Sequence, residues 1–187
     1  MGRTGRRYEP KLRLRDVPRI RQVAYHEAGH AVAGYELHVP FHYVTIVPDA
    51  ERGSEGHVRF VGVGKDLDQA RYLMTESQLR RRIEPDIICA LAGEAAESRL
   101  TGRRDLLSAT SDYRSAVESA IEMSGSAVEA GAYCTWLYYR AVGIVRNPFV
   151  WAAIEALAAA LMDRKRIGSR EARRIIKEAI QGVFETD

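Results

Sequence analysis

The pentapeptide HEAGH places His26 and His30 four residues apart, with Glu27 directly after the first histidine. In a helix, side chains four residues apart project from the same face, one turn apart. Two imidazoles in that arrangement suit neighbouring ligand positions on a tetrahedral zinc ion. Zinc lowers the pKa of a bound water towards about 7, and an adjacent carboxylate can take its proton during attack on a carbonyl. The pentapeptide therefore predicts zinc-dependent hydrolysis of peptide bonds, with one zinc per chain and Glu27 as general base.

A catalytic zinc ion needs a third protein ligand as well as an open position. The longer pattern HExxHxxGxxH is excluded, because Ala33 and Glu36 stand where it requires glycine and histidine. The downstream acidic candidates are Glu94, Glu97 and Asp112. The weaker candidates are His38, His42 and His57. Side-chain chemistry alone does not decide between Glu97 and Asp112, since both are hard oxygen ligands on predicted helices.

The elements that must position these residues are mostly helical. A helix is expected from Asp16, with Pro18 in its first turn, to about Leu37. Two alternating β-branched runs, 42–48 and 56–63, predict a hairpin or neighbouring strands of one small sheet. Further helices are expected over about 75–100, 112–124, 126–145, 147–165 and 169–184, with a loop at 101–110.

Several local signals refine these helices. Thr75 and Gln78 form a capping-box pattern, and Gly102 ends the same helix. Pro85 within it predicts a kink or a break. Ser169 is expected to cap the last helix.

The 187 residues are close to the usual size of a single domain, and the 46% apolar and 28% charged composition is ordinary for a globular protein. Residues 1–15 form a basic arm, expected to be flexible, and residues 16–187 are predicted to form one mainly α domain with a small β-sheet. Two cysteines outside any CxxC pattern predict buried free thiols in a reducing compartment. Because no secretory signal and no apolar run of eighteen residues occur, we expect no membrane span and a cytoplasmic location.

The stretch VAYHEAGHAVAGY resembles the peptidase domain of the FtsH-type ATP-dependent zinc metalloproteases, and HYVTIVP, LAGEAAESRL and TSDYRSAVESA follow in the family's order. The resemblance covers roughly residues 17–180 and implies a helical, zincin-like domain. It implies that Asp112 is the third zinc ligand and that Glu97 has a supporting or structural role. It further implies a homo-oligomer, a hexameric ring, and an extended substrate polypeptide beside an edge strand. The residues of that strand are Gly56, His57, Val58, Arg59 and Phe60.

The chain departs from the family in three places. No GxxxxGK[ST] loop occurs, so we expect activity only on unfolded or loosely folded polypeptides unless a separate ATPase takes part. Leu107 and Ser108 replace the Thr-Gly that precedes the family's aspartate segment. Pro48, Asp49 and Ala50 replace its Pro-Arg-Gly.

Two other functions compete with peptide hydrolysis. The first is a metal-binding interaction or assembly module of the same fold without turnover; the carboxylate of Glu27 argues against it, and the missing ATPase module argues for it. The second is nucleic-acid binding through the basic residues 3–15. Nucleic acid is not expected as a partner, because no recognised binding motif accompanies the charge.

Overall fold

The computed structural model of this chain describes residues 17–51, 53–61, 73–103 and 110–185. Within these ranges the helices are α1 (Arg19–Glu36), α2 (Glu76–Thr101), α3 (Thr110–Ile121), α4 (Ala127–Arg146), α5 (Pro148–Arg164) and α6 (Ser169–Phe184). The strands are β1 (Phe41–Thr45), β2 (His57–Phe60) and β3 (Arg166–Gly168). The predicted mainly α fold with one small sheet is confirmed. The predicted N-terminal arm, Asp16, Leu107 and Ser108 lie outside the described residues.

Helix α1 runs through the centre of the fold and packs against α2 and α5. Every residue from Val23 to Gly34 is buried. Small side chains make this possible: a Cβ added to Gly29 would lie 2.7 Å from the carbonyl oxygen of Ala92 and from the Cβ of Ala96. The backbones of α1 and α2 therefore approach closely, and this brings the histidine-bearing face of α1 against the middle of α2.

The three strands form an antiparallel sheet in the order β2–β1–β3. Val44 of β1 is opposite Val58 on one side and Ile167 on the other, and both Val44 and Ile167 are buried. The two predicted strands exist but are shorter than expected. Strand β3 was not predicted, because three residues are too few for an alternating pattern and only pairing with β1 makes them a strand.

Helix α2 begins with the predicted capping box at Thr75 and ends at Gly102, which adopts a left-handed conformation with φ of 72°. Of the kink or break predicted at Pro85, the break is wrong, since the helix continues through this residue. A proline inside a helix removes one hydrogen bond and costs about 3 kcal/mol. Burial of Ile83 and Ile87 on either side of it offsets that cost, because each buried side chain of this size contributes about 1.5–3 kcal/mol.

The C-terminal helices enclose an aliphatic core whose most buried members include Leu137, Ile154, Leu157 and Leu161. Ser126 and Asn147 cap the N-termini of α4 and α5 through their side chains. The predicted cap at Ser169 is wrong: Gly168 takes the N-cap position because β3 leads directly into α6.

Two further predictions concern cysteine and membranes. Both cysteines, Cys89 and Cys134, are buried free thiols, as predicted. No single helix in the described ranges is both long and apolar enough to cross a membrane. Helices α4 and α5 together have the length and composition, but they bend by 81° at the break between them.

Candidate metal centre

Two imidazoles of α1 converge on one carboxylate at the start of α3. Nε2 of His26 lies 2.9 Å from Oδ2 of Asp112, and Nε2 of His30 lies 3.2 Å from the same oxygen. One donor atom from each residue lies within 4.8 Å of the other two. Two imidazole nitrogens and one carboxylate oxygen form a donor set that suits a catalytic zinc ion with a fourth position open.

The other ring nitrogen of each histidine is fixed by a partner on α2. Nδ1 of His30 donates to the carbonyl oxygen of Cys89 at 2.7 Å. Nδ1 of His26 lies 3.0 Å from Oε2 of Glu97. Because a carbonyl and a carboxylate can only accept, both Nδ1 atoms carry a proton, and both Nε2 atoms are the ring nitrogens that face Asp112. This orientation is the one that metal-ligating histidines normally have.

Gly93 leaves the space in which the two Nε2 atoms lie. A Cβ at this position would be 2.4 Å from Nε2 of His30 and 2.8 Å from Nε2 of His26. Gly93 was not among the predicted site residues, although the sequence carries a signal for it. A glycine inside a helix costs about 1 kcal/mol relative to alanine, and such a position usually has a packing or functional reason.

Glu27 lies beside the histidines with its carboxylate buried, only 5% of the residue being exposed. Within the described residues, no hydrogen-bond partner lies at its Oε2. Burial raises the pKa of Glu27, although the neighbouring His30 and His26 oppose that effect. A buried carboxylate with a raised pKa and an oxygen that no protein donor occupies is suited to accept a proton and to release it again.

These groups open into a cleft of about 570 Å³. Its walls come from α1, α2, α3 and β2 and include Glu27, Ala90, Ser115 and Val58. A cleft of this volume, partly apolar and with a few convergent polar groups, has the usual character of a ligand site.

The electrostatics of the site favour positive charge between its donors. In the chain alone the pKa of His26 is raised to about 10, because burial, which lowers it, is outweighed by hydrogen bonds to Asp112 and Glu97. The pKa of His30 is also raised against the effect of burial, chiefly by the charge of Asp112. The pKa of Asp112 is lowered although burial opposes this, because His30 and His26 stabilise its carboxylate. The same groups can stabilise a divalent cation, which then displaces the protons.

The remaining predicted site residues fall into two groups. Glu97 lies behind His26, on the side of the ring away from Asp112, in a supporting position. Glu94 is buried and does not join the donor cluster. In the predicted substrate strand, the residues that line the cleft are Gly56, His57, Val58 and Phe60. Arg59 is exposed and is not among the cleft-lining residues in the described part of the chain.

Several known proteins are similar in sequence to part of this chain. An ATP-dependent zinc metalloprotease YME1L of Drosophila melanogaster is 35% identical over 120 residues, which are 62% of this chain and 14% of that protein. The mitochondrial inner membrane m-AAA protease component YTA10 of Saccharomyces cerevisiae is 37% identical over 91 residues, 48% of this chain and 10% of that protein. An ATP-dependent zinc metalloprotease FtsH of Thermobaculum terrenum is 41% identical over 96 residues, 50% of this chain and 13% of that protein.

The chain thus spans between about a tenth and a seventh of the length of these curated relatives. Residues 15–130 match the sequence profile of peptidase family M41. The matched region contains the whole donor cluster, Glu27 and the strands β1 and β2. Since the match extends over more than half of the chain, this chain belongs to peptidase family M41.

Proposed function

We propose that the chain is a zinc-dependent endopeptidase in which His26, His30 and Asp112 hold the metal and Glu27 transfers protons. The observation that carries the proposal is the convergence of two Nε2 atoms on one oxygen of Asp112, at 2.9 and 3.2 Å. The names of several relatives, which describe zinc metalloproteases, support the choice of metal and reaction.

A bound zinc ion would supply a Lewis acid that polarises the substrate carbonyl and makes a water molecule more acidic. Glu27, whose Oε2 has no hydrogen-bond partner within the described residues, would accept a proton from an attacking water and deliver it to the leaving amine. Because burial raises the pKa of Glu27, its carboxyl group can hold that proton at a small cost in free energy. Cys89 and Glu97 keep the imidazoles oriented throughout, since each holds one Nδ1.

The proposed substrate is an unfolded polypeptide bound in extended form along β2. Among the described strands, β2 pairs with β1 alone, so its outer edge can pair with another chain. Main-chain hydrogen bonds would then provide most of the affinity, and selection among sequences would be broad. A folded protein does not present a free extended segment, so a separate ATPase is proposed as the source of unfolded chains in the cell. The hexameric ring and the cytoplasmic location stay predictions.

The decisive experiment compares the wild type with Glu27→Gln for zinc content and for hydrolysis of an unfolded casein. Glu27→Gln should keep one zinc per chain and lose at least about 100-fold in rate, because the proton acceptor is removed while the ligands remain. The matched control is Glu36→Gln, which changes an exposed glutamate at the end of the same helix and should hydrolyse normally.

Two results would contradict the proposal. If the purified wild type contains no zinc at neutral pH, the proposal loses its basis. If wild type and Glu27→Gln bind zinc equally and neither hydrolyses casein, the result would instead favour a metal-binding assembly module without turnover.

A further inference from the structure

Arg19, in the first turn of α1, contacts two carboxylates that belong to different parts of the site. Its Nη1 donates to Oε1 of Glu97 at 3.1 Å. Its Nε donates to Oε2 of Glu55 at 2.8 Å, and its Nη2 contacts the same carboxylate. The guanidinium therefore connects α2 to the segment that leads into β2.

The contact with Glu97 reaches the metal ligands. The side chain of Glu97 is only 5% exposed, and its second oxygen is the one that holds Nδ1 of His26. A buried carboxylate needs compensating charge and hydrogen bonds to keep its position. Arg19 provides both at Oε1 of Glu97 while Oε2 holds His26, and contacts at both oxygens fix the plane of the carboxylate and hence the imidazole ring.

The contact with Glu55 reaches the other side of the cleft. Glu55 directly precedes Gly56, which lies against Glu27: a Cβ on Gly56 would be 2.9 Å from Cγ of Glu27 and 2.7 Å from the carbonyl oxygen of Thr45. An interaction that holds Glu55 in place therefore also holds the start of β2, where Gly56 lies against the general base Glu27.

We propose that Arg19 is a positioning residue that couples the metal centre to the substrate strand, through Glu97 on one side and Glu55 on the other. The inference rests on the proposed function for the meaning of the cleft, but its metal half concerns zinc binding alone. The contacts of Arg19 with Glu55 and with Glu97 differ in strength. The Arg19–Glu55 pair is about half exposed on both sides, 46% and 53%, and is screened by water, whereas Glu97 is buried.

Removing the guanidinium of Arg19 should therefore weaken zinc binding more than substrate binding. Loss of a partner behind a metal ligand typically costs about 10- to 100-fold in metal affinity. Arg19 acts through Glu97, so Arg19→Met should lower zinc affinity by roughly tenfold, the lower end of that range. Arg19→Lys should recover part of the affinity, because it keeps the charge but cannot fork to both carboxylates. Glu55→Gln should leave zinc affinity within about twofold and raise KM a few-fold, since it loosens only the strand.

The experiment measures zinc dissociation constants by competition with a chromophoric chelator, and kcat and KM for casein at saturating zinc. The matched control is Arg21→Met, which removes an exposed arginine from the same helix whose guanidinium lies over the ring of Tyr25. Thermal unfolding in excess chelator, compared between Arg19→Met and Arg21→Met, separates a general loss of stability from a loss at the site.

The expected pattern is a zinc defect in Arg19→Met that Arg19→Lys partly reverses, a KM defect in Glu55→Gln, and neither in Arg21→Met. The inference is overturned if Arg19→Met binds zinc within twofold of the wild type, or if Glu55→Gln weakens zinc as much as Arg19→Met. If wild type binds zinc but hydrolyses nothing, the proposed function fails while the metal half is still decided by the chelator measurements. If wild type binds no zinc, both fail.

Discussion

Replacing Gly93 with alanine would place a methyl group among the metal-ligating nitrogens. The added Cβ would lie 2.4 Å from Nε2 of His30, 2.5 Å from its Cε1 and 2.8 Å from Nε2 of His26. Favourable contacts between such atoms begin at about 3.5 Å, so the rings or the helix must move by roughly 1 Å. Nδ1 of His30 donates to the carbonyl oxygen of Cys89, which lies on the same helix as Gly93. This hydrogen bond limits how far the imidazole ring can turn away from the added methyl group.

A displacement of that size is large compared with the tolerance of a zinc site. Metal–ligand distances stay within about 0.2 Å of their usual values in functional sites. We therefore expect Gly93→Ala to weaken zinc binding by more than about 100-fold, which exceeds the usual effect of losing a partner behind the ligands. This corresponds to about 2.7 kcal/mol of binding free energy. The fold should suffer less, because the gain of about 1 kcal/mol in helix propensity offsets part of an overpacking cost of about 1–3 kcal/mol.

Gly131→Ala provides the matched control, because it is the same substitution inside a helix where nothing lies within 4 Å of the new Cβ. It should leave zinc affinity unchanged and raise the free energy of unfolding by about 0.4–1 kcal/mol. Chelator competition measures the affinities, and thermal unfolding in excess chelator measures stability. Folded Gly93→Ala that binds zinc within tenfold of the wild type would show that the metal ligands do not need the space that Gly93 leaves.

Four further predictions concern charge, pH, core and cap. Asp112→Asn should weaken zinc by at least tenfold, because the carboxylate charge is lost from the donor set; unchanged affinity by chelator competition would exclude Asp112 as a ligand. The pKa of His26 is raised to about 10 in the chain alone and that of His30 is raised as well, so zinc must displace at least one proton, and its apparent affinity should rise by at least about one order of magnitude per pH unit between about pH 6 and 9. Calorimetry in buffers of different ionisation enthalpy would show the released proton, and identical heats would contradict it. Leu157→Ala, at a completely buried position, should lower the free energy of unfolding by about 2–5 kcal/mol in chemical denaturation without affecting zinc affinity. Asn147→Ala removes an acceptor 2.9 Å from the backbone nitrogen of Phe149 and should lower the free energy of unfolding by about 1 kcal/mol, and no loss would argue against the cap.

The sequence by itself determined the features that depend on neighbours along the chain. The four-residue spacing of His26 and His30 put both rings on one helix face, because that geometry needs only helical backbone. The capping box at Thr75 and the end of that helix at Gly102 were predicted for the same reason, since each satisfies backbone groups within a few residues. Within the described residues, the predicted helices therefore largely agree with the observed ones in number and position.

Only the tertiary structure decided what lies opposite those rings. Residue chemistry left Glu97 and Asp112 equivalent. Their different positions follow from how α2 packs against α1 and α3 packs against α2, which brings residues 71 and 86 positions further along the chain to His26. Gly93 and Arg19 were not predicted as site residues. The space that Gly93 leaves and the contacts of Arg19 with two carboxylates exist only once the helices have packed. Strand β3 is another such case, as its three residues acquire a ladder only beside β1. Periodicity reports local geometry, whereas the metal centre consists of contacts between distant segments, and these are fixed by which surfaces the core brings together.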